Sequence, residues 1–311
     1  MFPLLKLPLL CIQEVTDQWD VIELISFSFL SKRAKRISKR RKRNDFNVNL
    51  KLNSCSPSLH CDYSNPLPDV RYHEGQELIR SSDISSFLEN TQHFMDILNC
   101  PFERVRFQLE PLITNDQLIG MINWLNGMKN DINEVWIQSA TSQMFESIIK
   151  RFRKRIRNLN VYEAGFQHGG IVHKRLNFEV NHIFTSTESP WIRLDFIFSM
   201  NLERISAIIT NLSAKDLNLF LKSWQEGKTN QRLKRFLVTT RFDRDIKKVL
   251  KGCKAELMDP RTTKLKVRTL DYAGYKDVWI HGGIHIKGND GRLAVIQNHT
   301  HKEEVAENRH F

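Results

Sequence analysis

Histidine and cysteine side chains are the residues here whose spacing could hold a metal ion. The candidate groups are His281 with His285, His299 with His301, and Cys55 with His60 and Cys61. A zinc site needs three or four such ligands in tetrahedral geometry. Neither histidine pair has a carboxylate or cysteine placed to complete that set, and the third group has a single histidine. The sequence therefore predicts no metal ion.

Catalytic motifs are also missing from the sequence. It contains no H-E-x-x-H zinc motif, no G-x-S-x-G nucleophile turn and no G-x-x-x-x-G-K-[ST] phosphate loop. The glycine pairs Gly169-Gly170 and Gly282-Gly283 are interpreted as isolated turns. The tryptophans interpreted as core or groove residues rather than a cofactor site are Trp124, Trp136, Trp191 and Trp224. We expect no cofactor and no enzymatic activity.

Positive charge is concentrated in one segment, residues 31–43, which has nine basic residues and no acidic one. The basic run consists of Lys32, Arg33, Lys35, Arg36, Lys39, Arg40, Arg41, Lys42 and Arg43. Elsewhere 38 basic residues face 35 acidic ones, so the rest is nearly neutral. Three interpretations stay open: the solvated end of a helix, a nuclear localisation signal, or a patch for nucleic acid or anionic lipid.

Composition places the chain among globular proteins. It has 311 residues, of which 41% are hydrophobic and 26% charged, which suits two domains or one domain with a small module. No apolar run approaches the roughly 18 residues that a membrane span requires. The apolar residues 1–12 are interrupted by Lys6 and Pro8 and lack a small-residue cleavage site, so we interpret them as folded rather than as a signal peptide. A cytoplasmic or nuclear location with free, mostly buried thiols is expected.

The first forty residues predict a compact helical module. Apolar residues at helical spacing indicate one helix from Leu9 to Trp19 and a second that Asp20 caps. Ser31 begins a third, basic helix. So short a module cannot bury all of its apolar side chains by itself. Either a partner covers them or the helices pack on the rest of the chain.

Part of this module resembles an F-box. The resemblance rests on Phe2-Pro3-Leu4-Leu5-x-Leu7-Pro8, on Ile12-x-Glu14-Val15 and on Ile22-Glu23-Leu24-Ile25-x-Phe27-Ser28-x-x-Ser31-Lys32-Arg33. It is similar to the F-box of the large nematode family of F-box proteins. The resemblance implies three helices that bind the Skp adaptor of a cullin-RING ubiquitin ligase. Carried over, the interface residues would be Leu7, Pro8, Ile12, Val15, Leu24 and Phe27.

The remainder predicts alternating strands and helices. Val48, Leu50 and Leu52 alternate like a short strand, and the prolines of residues 57–68 predict a loop. Further strands are expected at 105–109, 134–137, 159–162, 204–209 and 233–238, with helices at 82–98, 114–127, from 141, and at 213–227. Repeats of 26 to 29 residues are typical of a leucine-rich-repeat-like solenoid.

Two predicted helices echo each other at an offset of 100 residues. Asp116, Trp124 and Gly127 recur as Asp216, Trp224 and Gly227. Each helix also has a predicted cap, Thr114 with Gln117 in the first and Ser213 with Asp216 in the second. The echo favours an internal repeat, although two unrelated amphipathic helices would share some of these features.

A second resemblance covers much of residues 100–296. The segments are Leu212-Ser-x-x-Asp216-Leu217-Asn218-x-Phe220-Leu221-Lys222-Ser223-Trp224-x-x-Gly227, Asn230-x-Arg232-Leu233, and Gly282-Gly283-Ile284-x-Ile286-Lys287-x-x-Asp290-Gly291-Arg292-x-Ala294. They are similar to the F-box-associated domain, type 2, of the same nematode family, which implies binding of substrate proteins. Asn289-Asp290-Gly291 also predicts the turn of a β-hairpin.

The expected protein is α/β, with an N-terminal three-helix F-box followed by a leucine-rich-repeat-like strand–helix domain that ends in a β-hairpin. The expected division is an F-box at 1–43, a linker with the first repeat-like elements at 44–100, the F-box-associated domain at 101–296 and a flexible tail at 297–311. Such a chain would be a non-catalytic adaptor that binds the Skp adaptor, through it a cullin, and an unidentified protein substrate. The alternative is a nucleic-acid-binding protein that uses residues 32–43; no membrane partner is expected.

Overall fold

The structure is a computed structural model that describes residues 4–39, 46–53, 56–63, 76–109, 113–162, 175–271 and 274–297. The described residues form two compact units. The sheet unit lies within residues 1–211 and 232–241, and the C-terminal unit within residues 212–231 and 242–311. Each unit has its own secondary structure, and each is described separately.

The sheet unit begins with short helices. They are the 3₁₀ turn Leu4–Lys6, α1 (Leu9–Asp17), α2 (Val21–Ser28) and α3 (Lys32–Ser38). Asp20 accepts a hydrogen bond from the Glu23 amide at 2.8 Å, and the Glu23 carboxylate accepts one from the Asp20 amide at 2.9 Å. Ser31 accepts one from the Ala34 amide at 3.1 Å. These caps confirm the predicted starts of the second and third helices; their identity as an F-box stays a prediction.

One large sheet organises the described part of this unit, with nine strands in the order β3-β2-β1-β4-β5-β6-β7-β8-β9. The strands are β1 (Phe46–Leu52), β2 (Ser58–Tyr63), β3 (Gln76–Arg80), β4 (Phe102–Gln108), β5 (Ile132–Gln138), β6 (Ile156–Tyr162), β7 (Val180–Ser186), β8 (Arg204–Thr210) and β9 (Arg235–Thr240). In the sheet, β1 pairs with β4, and all neighbouring pairs from there to β9 are parallel. On the other side of β1, the pairs β1–β2 and β2–β3 are antiparallel. The helices between strands are α4 (Ile84–Leu98), α5 (Asn115–Gly127), α6 (Ser142–Arg151) and α7 (Leu194–Phe198).

The loop predicted across residues 57–68 is wrong in its first part, because β2 begins directly after Pro57. Its side chains from Ser58 to Cys61 are all buried. A strand buried on both faces shows no polar–apolar alternation, so its sequence lacks the signal for a strand. The strands β3 and β7 were also not predicted.

The sheet core repeats one burial pattern in three consecutive strands. The buried apolar side chains are the first, fourth and sixth of each strand: Phe102, Val105 and Phe107; Ile132, Val135 and Ile137; Ile156, Leu159 and Val161. Because side chains alternate between the faces of a strand, the fourth and sixth side chains of each strand share one face and give it a helix-covered apolar layer. The result is a mixed α/β fold, as predicted, and it contains a large sheet; the leucine-rich-repeat-like arrangement stays a prediction.

The two echoed helices begin with the predicted caps. Thr114 and Gln117 form a capping box at the start of α5, and Ser213 and Asp216 form one at the start of α8 (Ala214–Gln225). The two helices lie in different units, α5 in the sheet unit and α8 in the C-terminal unit. The two segments at an offset of 100 residues therefore resemble each other in how their helices begin.

The C-terminal unit combines α8 with antiparallel strands. Its other described elements are α9 (Ile246–Val249), β10 (Glu256–Met258), β11 (Lys264–Asp271), β12 (Gly274–His281), β13 (Gly283–Lys287) and β14 (Leu293–Ile296). Strand β13 pairs with both β10 and β14, and β11 pairs with β12. The predicted hairpin is present as β13 and β14. Its turn closes by a 2.8 Å hydrogen bond from the Gly288 amide to the Arg292 carbonyl.

None of the helices within the described ranges is long and apolar enough to cross a membrane.

Candidate protein-docking surfaces

The N-terminal helices enclose a small apolar core. Ile12, Phe27, Ala34 and Ile37 are its buried members, and Trp19 packs against them. The rings of Trp19 and Phe27 meet edge to face at a centroid distance of 4.9 Å. The three helices are thus held in a fixed arrangement by side chains from each of them.

The predicted interface residues separate into two groups in this structure. Ile12, Leu24 and Phe27 are buried, so in this conformation they support the helices from inside. Pro8 and Val15 are exposed, and Leu7 is half-buried. Only the second group can touch a partner that leaves the helices as they are.

Exposed apolar side chains that sequence reasoning did not single out complete this surface. They are Leu9, Leu10, Ile22, Phe29 and Leu30. Leu10 is 76% exposed and Leu30 71% exposed, which is unusual for leucine because burial is its common state. The sequence indicates this surface by placing these apolar residues next to residues that are buried inside the helices. We call Pro8, Leu9, Leu10 and Val15 the α1 apolar surface.

Helix α2 is also attached to α4 of the sheet unit. The Phe29 ring stacks on the His93 ring at 4.3 Å between centroids, with 22° between their planes. The Ser28 hydroxyl lies 2.9 Å from Nε2 of His93 and donates its own proton to the Ile25 carbonyl at 2.6 Å. The helices therefore bury part of their apolar surface on their own chain.

These contacts define the protonation state of His93. Because the Ser28 hydroxyl donates to Ile25, its oxygen can accept from Nε2–H of His93. The other ring nitrogen, Nδ1, then accepts from the Lys35 ammonium at 3.0 Å. Burial, followed by the nearby Lys35 charge, holds the pKa of His93 below its ordinary 6.5. The neutral ring is the form that satisfies both neighbours.

Asp96 ties the basic helix α3 to α4. Its carboxylate lies 3.5 Å from Nζ of Lys35 and 3.4 Å from Nζ of Lys39. Burial alone would raise the pKa of Asp96, but Lys39, Gln92 and Lys35 together lower it. Two members of the basic run therefore have a structural partner.

The other members of the basic run differ from these two. Lys32, Arg33 and Arg36 are exposed, and none makes an ion pair with a described residue. The segment Arg40–Arg43 lies outside the described residues. The exposed cations of α3 thus form the described part of the possible nucleic-acid surface.

A second candidate surface is the face of the sheet opposite the helix-covered layer. The guanidinium carbons of Arg104 and Arg106 lie 4.6 Å and 5.0 Å from the Trp136 ring centroid. Tyr162 continues the row at 5.1 Å from Trp136. The Glu134 carboxylate holds Arg104 in this row, because it accepts a hydrogen bond from Nε of Arg104 at 3.0 Å. These side chains are half-buried, and we call them the Trp136 row.

Trp136 and Asn158 each have a buried polar atom on this face that lacks a partner within the described part of the chain. These atoms are the indole N–H of Trp136 and Oδ1 of Asn158. Buried polar groups in proteins are nearly always hydrogen-bonded, so an unmet donor and an unmet acceptor on one face mark places where a ligand could bind. Arginine and aromatic side chains are also enriched at protein interfaces.

Those candidate metal ligands that lie in the described part of the chain do not assemble into a site. Among the described residues, no group of three or more His, Cys, Asp or Glu side chains could hold a metal ion. His60 is buried and contacts the Ser58 hydroxyl at 2.9 Å. His285 lies 3.3 Å from the Gly282 carbonyl. Cys55, His299 and His301 lie outside the described residues.

Cys11, Cys100 and Cys253 are free thiols, and of these only Cys11 is exposed; Cys61 is buried in β2. Burial raises the pKa of the Cys100 thiol to about 11 and also raises that of Cys253. These two thiols therefore stay protonated at neutral pH. A protonated thiol is a poor nucleophile, so neither has the character of a catalytic cysteine.

The two motifs of the second resemblance meet inside the C-terminal unit. The Arg292 guanidinium lies 5.2 Å from the Trp224 ring centroid. The Gln225 side chain donates hydrogen bonds to the backbone carbonyls of Cys253 at 2.9 Å and Lys287 at 3.0 Å. The backbone carbonyl of Gln225 accepts a hydrogen bond from the Asn289 amide at 2.7 Å. Residues far apart in the sequence thus join α8 to the β13–β14 hairpin.

Residues 171–238 match the family model described as F-box associated. No curated protein and no solved structure matches the chain. The matched segment begins before β7 and ends within β9, inside the range 101–296 where the resemblance was predicted. The chain therefore contains an F-box-associated segment, and this part of the prediction is confirmed.

Proposed function

We propose that this chain is a non-catalytic substrate-recognition adaptor of a cullin-RING ubiquitin ligase. The observation that carries the proposal is the F-box-associated match at residues 171–238 in a chain whose N-terminal helices expose the α1 apolar surface. The helices would bind the Skp adaptor, and through it a cullin, in the cytoplasm or nucleus. The proposed parts are 1–43 for the F-box, 44–100 for the linking elements, 101–296 for the F-box-associated domain and 297–311 for the tail.

Such an adaptor works by positioning. Binding a target and the ligase through one chain raises the effective concentration of target lysines near the charged conjugating enzyme. The bond-forming groups belong to other subunits, so this chain needs no nucleophile or base. The Trp136 row is the surface that we assign to the protein target, because it has rigid aromatic and arginine groups with unmet polar atoms.

We propose a narrower adaptor surface than the six residues that the resemblance implied. Pro8 and Val15 can contact a partner directly, together with Leu9 and Leu10. Ile12, Leu24 and Phe27 act beneath them by holding the helices together. This division gives two kinds of variant with different expected behaviour.

The first experiment measures binding of the full chain to the purified Skp adaptor by calorimetry at low and high salt. In the Leu10→Asp/Val15→Asp double variant we expect affinity to fall by at least about tenfold, because each aspartate replaces buried apolar contact with a charge. The circular dichroism spectrum should not change, since both side chains are exposed. Leu257→Asp is the matched control, because Leu257 is 83% exposed in the C-terminal unit.

Salt resistance is the second criterion of this experiment. An apolar interface should keep its affinity when salt is raised, whereas a charged one should lose it. Absence of binding by the folded wild-type chain would contradict the proposal. Equal affinity of wild type and the double variant would move the interface away from α1.

Nucleic-acid binding is the second candidate function, and the exposed Lys32, Arg33 and Arg36 favour it. The pairing of Lys35 and Lys39 with Asp96 counts against it, because those cations are already engaged. We therefore rank it below the adaptor.

A further inference from the structure

The sheet unit contains a cavity of about 690 Å³ that the proposed function does not yet use. Its lining residues precede the strands β6, β7, β8 and β9 or, for Val180 and Asn181, begin β7, so it lies at the amino-terminal ends of these parallel strands. Those that carry the argument are Arg153, Arg175, Phe178, Glu179, Met200 and Arg232. Except for Arg153, all of them belong to the segment that matches the F-box-associated family.

The positive charge around this cavity exceeds the negative charge. Arg175 is exposed and makes no ion pair with a described residue. The Arg153 guanidinium donates one hydrogen bond, to the neighbouring Phe152 carbonyl at 2.9 Å, which leaves most of its donors available. Glu179 also lines the cavity, but its carboxylate pairs with Arg155 at 2.8 Å.

Arg232 is similarly available, although a carboxylate lies near it. Its Nη2 atom is 3.7 Å from Glu203, whose carboxylate is closer to Lys234, at 2.8 Å, and to His182, at 3.3 Å. The hydrogen bond from Lys234 is the largest cause of the lowered pKa of Glu203. Glu203 therefore has other cations as its nearer partners, and Arg232 keeps donors for a ligand.

The rest of the cavity wall suits a peptide rather than a bare ion. Phe178, Met200 and Leu202 are buried and give it an apolar floor. Asn177 and Asn181 add neutral amides that can donate to a peptide backbone. A floor of this kind can hold the carbon atoms of a side chain while the arginines bind its charged end.

We propose that this cavity binds a phosphate monoester dianion carried by a phosphorylated side chain of a protein target. The guanidinium of arginine presents paired donors that fit phosphate oxygens, and a phosphorylated side chain has a charge between about −1.5 and −2 at neutral pH. The inference deepens the proposed function, since it names the class of target and rests on that function for the source of the ligand.

The test uses the full chain and a fluorescent peptide with one phosphothreonine between leucine and alanine residues. Fluorescence anisotropy measures its affinity beside the unphosphorylated peptide and a glutamate peptide. We expect the phosphopeptide to bind at least about tenfold more tightly than either, because charge-assisted hydrogen bonds to phosphate are the strong ones. Inorganic phosphate should displace it only at much higher concentration, since it lacks the contacts to the floor.

Variants connect this binding to the cavity. Arg175→Gln/Arg232→Gln should lose at least about tenfold in phosphopeptide affinity. Arg193→Gln, at an exposed arginine of the same unit outside the cavity, should retain it. Unchanged thermal unfolding of the double variant would show that its fold is intact.

Three outcomes would overturn the proposal. These are equal affinity for the three peptides, equal affinity of the double variant and Arg193→Gln, or tighter binding of a single-stranded oligonucleotide than of the phosphopeptide. None depends on the Skp adaptor, so failure of the adaptor experiment with success here would refute the ligase assignment alone. The reverse result would refute the phosphate site alone.

Discussion

His93 of α4 is one of the residues that join the N-terminal helices to the rest of the sheet unit, and its contacts favour a neutral ring. His93 donates to Ser28, accepts from Lys35 and stacks on Phe29. Protonation would place a second positive charge against the Lys35 ammonium. This joint is thus sensitive to mildly acidic pH.

We predict that lowering the pH from about 7.5 to about 5.5 destabilises the chain through His93. The folded pKa is below the unfolded value, so the unfolded state binds the proton more readily. The stabilisation is complete above the unfolded pKa of 6.5 and is lost as the pH falls through the folded pKa. Thermal unfolding followed by circular dichroism should show this loss.

His93→Gln provides the comparison for that experiment. Glutamine can keep a hydrogen bond to Ser28 without titrating, so its unfolding temperature should depend less on pH. The pKa of His182 is also lowered, first by burial, and that residue remains in both proteins. Identical pH profiles for variant and wild type would contradict the role given to His93.

Gly282 is a position where the backbone itself requires glycine. Its φ is +66°, and a Cβ atom would lie 2.7 Å from the Met258 carbonyl and 2.9 Å from the Pro260 nitrogen. The sequence interpretation of Gly282-Gly283 as a turn is consistent with this geometry. The close approach of the Met258 and Pro260 backbone to Gly282 depends on the tertiary structure.

We predict that Gly282→Ala lowers the free energy of unfolding by roughly 2–4 kcal/mol, from left-handed strain together with the clash. Gly291→Ala is the matched control. Its φ is +84°, but no atom lies within 4 Å of the added Cβ, so only strain of roughly 1–2 kcal/mol is expected. Urea unfolding measures both. Equal losses would show that the contacts with Met258 and Pro260 relax without penalty.

At the scale of elements, α8 and the β13–β14 hairpin depend on each other. Gln225 bridges the Cys253 and Lys287 carbonyls, and Arg292 lies over Trp224 and pairs with Asp290. The two ends of this joint are about sixty residues apart in sequence. This explains why two distant motifs occur together in the sequence resemblance.

We predict that Gln225→Ala destabilises the C-terminal unit by about 1–3 kcal/mol, because two carbonyls lose their side-chain donor. Amide hydrogen exchange should become faster in β13 and β14 and stay unchanged in β4 to β6. Gln231→Ala is the control, since its side chain donates only to the nearby Gly227 carbonyl. Faster exchange throughout both units would argue against a local joint.

Local signals predicted several elements well. The caps at Asp20, Ser31, Thr114 and Ser213 are each present, because a cap depends on residues within one turn of the helix. Strand β2 was missed because its burial on both faces comes from neighbouring strands. The Trp136 row was also missed, since it forms only when three strands align in register.

For the whole molecule, the basic run distinguishes the two candidate functions. A nucleic-acid-binding chain that neutralised about six phosphates would lose affinity with salt at a log–log slope near −5. The adaptor proposal predicts weak oligonucleotide binding at about physiological ionic strength and salt-resistant binding to the Skp adaptor.

The measurement is a salt titration of oligonucleotide affinity for wild type and for Lys32→Gln/Arg33→Gln/Arg36→Gln. Each lost phosphate contact reduces the slope by about one. The change of slope in the triple variant therefore gives the number of phosphate contacts that these three side chains of α3 make. Tight, steeply salt-dependent oligonucleotide binding that the triple variant loses would favour the nucleic-acid function instead.

The sequence by itself determined the local features of this protein: its helix starts, its β13–β14 turn, its charge distribution and the family-like segment around residues 171–238. These depend on neighbours in the chain or on composition. Only the tertiary structure decided which side chains are accessible. It buried Ile12 and Phe27, paired Lys35 with Asp96, and brought Arg153, Arg175 and Arg232 to one cavity. Burial and charge pairing depend on residues distant in sequence, and a pattern along one chain does not contain those distances.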